Sequence, residues 1–327
     1  MRCLSDVGEF GFIDRISRLI PSSPYVIEGI GDDCAVLRVS DRIVLVTTDL
    51  CIENVHFRRD RVAASDIGWK AAAACISDIA AMGGAPLYCL VSLACPPSER
   101  TSYIEDLYQG MLSAMSRFGT VIVGGDTTRS NDGISIDVIA IGEAIGNRFL
   151  RRRGAKVGDR IVVTGDLGSS AAGLHALING VDDKELIRAH MYPNPRVLEG
   201  QWLCARSEVH AMMDISDGLC QDMGHLARAS RLGIDLEPER LPVSPALARY
   251  CGEHGLDPLP LMLSGGEDYE LVFAIDARSA EKILDDFHHE FRVQTTVVGT
   301  VTDAWTGVRI HGESPESIGF DHFKPAG

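Results

Sequence analysis

Arg151-Arg152-Arg153-Gly154-Ala155-Lys156-Val157-Gly158-Asp159 breaks the apolar pattern of the chain with a run of cations and two glycines. Patterned segments lie on both sides, so the stretch reads as a boundary between two domains, 1–150 and 151–327. The length of 327 residues agrees, since single hydrophobic cores stop growing at roughly 250 to 300.

Upstream, Phe10, Ile13, Ile16 and Leu19 recur every three residues, which predicts an opening amphipathic helix ended by Pro21. The segments 34–39 and 43–48 are rich in β-branched residues and flank the polar turn Ser40-Asp41-Arg42, a hairpin pattern. Helices are expected over 65–82, capped by Ser65, and over 98–118, capped by Ser98 and stopped by Gly119. Strands are expected at 87–94, 121–123 and 134–144. Downstream, strands at 161–164, 211–215, 270–275, 293–301 and 308–311 alternate with helices at 169–179, 217–231 and 278–290, an α/β or α+β arrangement.

Composition excludes several roles. A formal net charge of -15 repels nucleic acid and anionic membranes, which need clustered Lys and Arg. No stretch reaches the roughly 18 consecutive apolar residues of a membrane span, and Met1 to Phe10 lack the charged-then-apolar order of a signal peptide. A cytoplasmic protein is expected. Nine cysteines without a C-x-x-C pair argue against a disulfide framework or structural zinc, and Cys75, within an alanine run, reads as a small buried hydrophobe.

Five acidic signatures stand where an apolar element gives way to a turn: Gly31-Asp32-Asp33, Thr47-Thr48-Asp49, Ser77-Asp78, Gly124-Gly125-Asp126-Thr127-Thr128 and Asp214-Ile215-Ser216-Asp217-Gly218. A solvated turn is the alternative at any single aspartate. If the carboxylates converge, each pair about 4 Å apart costs roughly 4 kcal/mol at an effective dielectric near 20, so cations must accompany them. Hard oxygen ligands without thiolates or a histidine pair select Mg²⁺, which shares carboxylates with substrate phosphates. Spacing alone leaves the convergence open. No Gly-Lys dipeptide occurs anywhere in the chain, so a Walker A loop is excluded.

In this order the motifs resemble the thiamine-monophosphate kinase family, of the superfamily that includes aminoimidazole ribonucleotide synthetase and selenophosphate synthetase. The resemblance runs from Gly8-Glu9-Phe10 through those motifs, Val55-His56-Phe57 and Ser264-Gly265-Gly266-Glu267-Asp268-Tyr269 to Phe320-Asp321-His322-Phe323. It implies a two-domain α/β (α+β) fold with mixed sheets flanked by helices. The first domain would bind ATP and metal and pair across a twofold axis into a homodimer; the second would complete the cleft. The implied activity is direct transfer of the γ-phosphate of ATP to thiamine monophosphate.

The resemblance also implies residue roles. Asp33, Thr47, Thr48, Asp49, Asp78, Asp126, Asp214 and Asp217 would hold several Mg²⁺ ions, with Asp33, Asp126 and Asp217 central to catalysis. Tyr108, Gly125, Arg152 and Ser216 would contact ATP, and His56, Glu267 and Phe320 the thiamine end. Which arginine of Arg151, Arg152 and Arg153 reaches the nucleotide stays open. A carboxylate and an aromatic ring suit a cationic thiazolium and a flat pyrimidine. Cys3 has neither the glycine-rich context nor the nearby lysine of a selenophosphate synthetase. A metal-loaded acidic binding protein without catalysis is the reading from another class.

Overall fold

The computed structural model describes residues 3–315 and 319–323. The chain enters through α1 (Leu4–Ser17) and then builds β1 (Val26–Glu28), β2 (Ala35–Val39), β3 (Arg42–Ile52), α2 (Ala64–Ala81), β4 (Gly84–Cys95), α3 (Thr101–Ser116), β5 (Val121–Arg129) and β6 (Ser135–Ala144). These strands form one sheet in the order β1-β2-β3-β6-β4-β5, antiparallel except for the β4–β5 pair.

The second half contains β7 (Arg160–Thr164), α4 (Ser169–Asn179), α5 (Lys184–Met191), α6 (Val197–Cys204), β8 (Val209–Asp214), α7 (Leu219–Ser230) and β9 (Gly233–Leu236). It continues with α8 (Pro245–His254), α9 (Pro258–Ser264), β10 (Leu271–Ile275), α10 (Ala280–Phe291), β11 (Thr295–Thr302) and β12 (Gly307–Ile310). The sheet order is β12-β9-β11-β7-β10-β8.

The two sheets are covered differently. The second is buried on both faces: every residue of β10 is buried, with one core on the α4, α7 and α8 side and another on the α6 and α10 side. In the first sheet α2 and α3 cover one face. Ile43, Leu45 and Thr47 of β3 point to that face and are buried, whereas Leu50, Tyr88 and Val121 lie on the opposite face and are 53%, 46% and 52% exposed.

Helix α2 is buried on nearly every side, because it is wedged between the first sheet, α3, α6 and β8. Its small residues make that possible, as does Gly110 of α3, where a Cβ would stand 1.8 Å from the Ser65 carbonyl oxygen.

Several expectations need correction. Ser65 and Ser98 do not cap their helices. Helix α2 starts after Ala63 and α3 after Arg100, neither with a side-chain cap, and Ser65 lies inside the first turn of α2 with its hydroxyl on Asp66. The opening helix stops at Ser17, short of Pro21, and is interrupted at Gly8 (φ 69°). Its apolar stripe serves no core, for Leu19 is 81% exposed. Instead Phe10 packs on the His225 ring at 4.4 Å and the Glu9 amide bonds Asp321, so α1 lies against α7 and the 320–323 segment. Helices α5, α6, α8 and α9 and strands β1 and β9 had no expectation, being short and lacking a sustained period.

Candidate active site

Three chain segments far apart in sequence bring Asp33, Asp78 and Asp214 together, one oxygen of each lying within 4.8 Å of the others. Asp33 stands just before β2, Asp78 near the end of α2, and Asp214 at the end of β8. Asp78 accepts a hydrogen bond from the Thr47 hydroxyl, and Asp214 accepts one from Ser77 at 2.6 Å, so each carboxylate has a fixed rotamer. Asp33 receives Nε and Nη2 of Arg152 on one oxygen, at 2.8 and 2.6 Å, while its buried Oδ2 has no hydrogen-bond partner.

The electrostatics follow from crowding in a dry place. Burial first and neighbouring carboxylates second push Asp214 and Asp32 up to about 7 and Asp49 up to about 6. The same causes, with Asp49 foremost among the neighbours, raise Asp78 well above the ordinary carboxylate range. Such a cluster holds protons or cations.

Within the arginine run, Arg151 and Arg153 both pair with Glu28, and Arg152 alone of the three turns into the cluster. The Asp214–Gly218 turn is shaped by Asp222, whose Oδ2 accepts the backbone N–H groups of Ser216, Asp217 and Gly218 at 3.0 to 3.1 Å. Asp217 and Ser216 therefore stand on a braced turn, and Asp217, Asp222 and His225 offer ligand atoms within 4.8 Å of one another.

Other expected residues stand apart from this cluster. Strand alternation turns Thr48 to the uncovered face of the first sheet, where its hydroxyl bonds Asp137 rather than Asp78. Asp126 is exposed on the edge strand β5. It is in register with Ser92 and, through it, with Asp137, two strands away at roughly 4.8 Å per strand. Gly125 has φ 154°, and a Cβ there would meet the Val91 carbonyl oxygen at 1.9 Å. Tyr108 lies on α3, half-buried against the first core. The chain thus gathers Asp33, Asp78, Asp214 and Arg152 in one cluster, whereas Asp126, Thr48 and Tyr108 lie outside it.

At the other end of the site, Phe320, His322 and His56 form a row of rings: Phe320 meets His322 edge-on at 4.8 Å, and His322 lies 5.0 Å from His56. Phe320 is held there by its amide on the Asp217 carbonyl and its own carbonyl on Gln221. Glu267 is near His56 and has one oxygen 2.8 Å from Lys70 Nζ. Burial pushes its carboxyl up, but the Lys70 ammonium, the largest opposing cause, outweighs that and carries it below the usual range.

Sequence reasoning missed Lys70, His190, Asp222, Asp137 and His322. For Lys70 a signal existed, since a single lysine inside an apolar helix that turns out to be buried must find a partner.

Comparison with known proteins places the chain. Residues 31–144 match the AIR synthase related protein N-terminal domain, and 156–312 the AIR synthase related protein C-terminal domain. A thiamine-monophosphate kinase of Aquifex aeolicus is 36% identical over 325 residues, covering 98% of this chain and 99% of that protein. One from Escherichia coli K12 is 36% identical over 328 residues, covering 97% and 98%. A solved structure, AaThiL complexed with AMPPCP and TMP, superposes with a TM-score of 0.88 at 35% identity and covers 98% of this chain and 99% of that one. The chain belongs to the thiamine-monophosphate kinase family of AIR synthase related proteins.

Proposed function

We propose that this protein transfers the γ-phosphate of ATP directly to thiamine monophosphate, forming thiamine diphosphate. The observation that carries the reading is the convergence of Asp33, Asp78 and Asp214 from three separate segments, beside an arginine and next to a row of aromatic rings. A related structure holding AMPPCP and TMP supports both substrates.

The donor set fits Mg²⁺: it is all oxygen, it is crowded beyond what carboxylates tolerate alone, and the buried Oδ2 of Asp33 lacks a partner. Asp33, Asp78, Asp214 and Asp49, with the Thr47 hydroxyl beside them, would hold metal on one face, and Asp217 would do so on its turn. Asp126 and Thr48 would act from the other face of the sheet. Bound Mg²⁺ supplies charge neutralisation between two polyanions.

The protein's own task is positioning. Arg152 is placed to exchange Asp33 for a phosphate oxygen, and Ser216, Gly125 and Tyr108 are assigned to ATP. His56, Glu267 and Phe320 are assigned to the thiamine end. No general base is needed, because a phosphate monoester has a second pKa of about 6 and its oxygens are already ionised at neutral pH.

The same reading divides the chain at 1–150 and 151–327, with ATP, metal and dimerisation in the first part. It also puts the protein in the cytoplasm. The sheet face that no helix covers among the described residues, which exposes the apolar side chains Leu50, Tyr88 and Val121, supports a homodimer built on the first sheet. Sedimentation should give a dimer that Leu50→Glu converts to monomer; a wild-type monomer at micromolar concentration would refute it. For the activity itself, a coupled ADP-release assay should show turnover that depends on thiamine monophosphate and Mg²⁺. Absence of that dependence would leave the acidic binding protein as the better account.

A further inference from the structure

Lys70 lies in the run Lys70-Ala71-Ala72-Ala73-Ala74 of α2, two turns before Ser77-Asp78, and is only 4% exposed. A buried ammonium costs several kcal/mol unless it is paired, so its presence in a helix of small apolar residues needs a reason. Its Nζ is 2.8 Å from Glu267 Oε1 and 3.1 Å from His190 Nε2.

An ammonium can only donate. His190 must therefore present a lone pair at Nε2 and carry its proton at Nδ1, which stands 3.1 Å from the Ser170 hydroxyl. Burial first and Lys70 second push His190 down to about 3, in keeping with a neutral ring. The result is a chain of contacts, Ser170 to His190 to Lys70 to Glu267, drawn from α4, α5, α2 and the loop before β10.

Glu267 is constrained from the other side as well. Its backbone has φ +57°, a left-handed conformation that a non-glycine residue keeps only where the surroundings over-determine it. Its amide donates to the Ser216 carbonyl at 2.7 Å, and Gly266 beside it leaves no room for a Cβ, which would stand 2.6 Å from that same oxygen. The side chain remains 29% exposed, so a strained and doubly braced carboxylate faces outward.

We propose that Lys70 is a positioning residue for the acceptor end of the site: backed by His190 and Ser170, its ammonium holds one oxygen of Glu267 so that the carboxylate meets the acceptor in a single orientation. The proposal rests on the reading above that Glu267 faces the thiamine end. It has a chemical consequence: the Lys70–Glu267 pair is neutral as a unit, so this part of the site selects by a directed acceptor oxygen and not by net negative charge.

The test uses the full chain with Mg²⁺, thiamine monophosphate and ATP, and compares Lys70→Met, Lys70→Gln, Glu267→Gln and the double variant Lys70→Met/Glu267→Gln. Lys70→Met should raise KM for thiamine monophosphate about tenfold while KM for ATP stays within about twofold. Lys70→Gln, which keeps a donor, should fall between wild type and Lys70→Met, and it carries the comparison if Lys70→Met does not fold. The double variant should be no worse than the poorer single, because both changes remove one interaction.

A lowered Tm with unchanged KM for thiamine monophosphate would make Lys70 a structural pin and overturn the proposal. So would equal rises for both substrates, or single effects that multiply in the double variant, since Lys70 would then act on substrate itself. Lack of thiamine-monophosphate-dependent turnover in the unmodified protein would overturn the parent reading, and that result is seen before any variant is made.

Discussion

Asp126 stands outside the crowded cluster, and on the proposed reading it would be essential there nonetheless. It is exposed on an edge strand, and its Oδ1 accepts the adjacent Thr127 amide. Its removal therefore costs the fold little. Asp126→Asn should lower kcat by a factor on the order of 10² or more through loss of a ligand charge, while Tm moves by no more than about 2 °C. Near-normal turnover in Asp126→Asn would take this residue out of the metal site. Asp222 is the opposite case: through Oδ2 its carboxylate fixes the turn that carries Ser216 and Asp217, and nothing in the local sequence beyond an acid in the first turn of α7 points to that work.

Among the elements, α2 decides where the site lies. It delivers Ser77 and Asp78 to the cluster and Lys70 to Glu267, and it can do so only because its small faces let β3, β6, α3 and α6 approach closely. Gly68 and Gly110 mark the closest approach, where a Cβ would stand 1.9 Å from the Leu107 oxygen and 1.8 Å from the Ser65 oxygen. Gly110→Ala must push α3 off α2 and should destabilise the protein by about 1–3 kcal/mol, as overpacked cores do. A urea melt with an unchanged midpoint would show that the two helices are free to part.

For the whole molecule, the buried carboxylates link stability to pH and metal. Asp32 and Asp214 are raised from 3.8 to about 7 and Asp49 to about 6, so the folded state binds their protons more tightly than the unfolded state does. Without metal, their stabilising contribution is present at low pH and is lost as pH rises from about 4 through about 7. On the proposed reading Mg²⁺ would take the place of those protons. Protein treated with EDTA should lose Tm between about pH 5 and about pH 7.5, and added Mg²⁺ should raise Tm more at the higher pH. A metal-free Tm that climbs over that interval would contradict the cluster as a cation site.

The division of labour between sequence and structure is clear in particular residues. Periodicity is enough for helix 169–179 and for the strands expected at 161–164 and 270–275, the latter observed as Leu271–Ile275, because those elements carry long or wholly apolar patterns. Ordered motifs were enough to nominate Asp33, Asp78 and Asp214, since turn chemistry and acidic charge are written locally. What the sequence could not decide was adjacency. That Ser77 bonds Asp214 across 137 positions, or that Lys70 meets His190 across 120, depends on how α2 is wedged between the two sheets. Strand alternation likewise parts Thr47 from Thr48, though they are neighbours in the chain, because a side chain's direction is set by the sheet it joins and by which face that sheet buries.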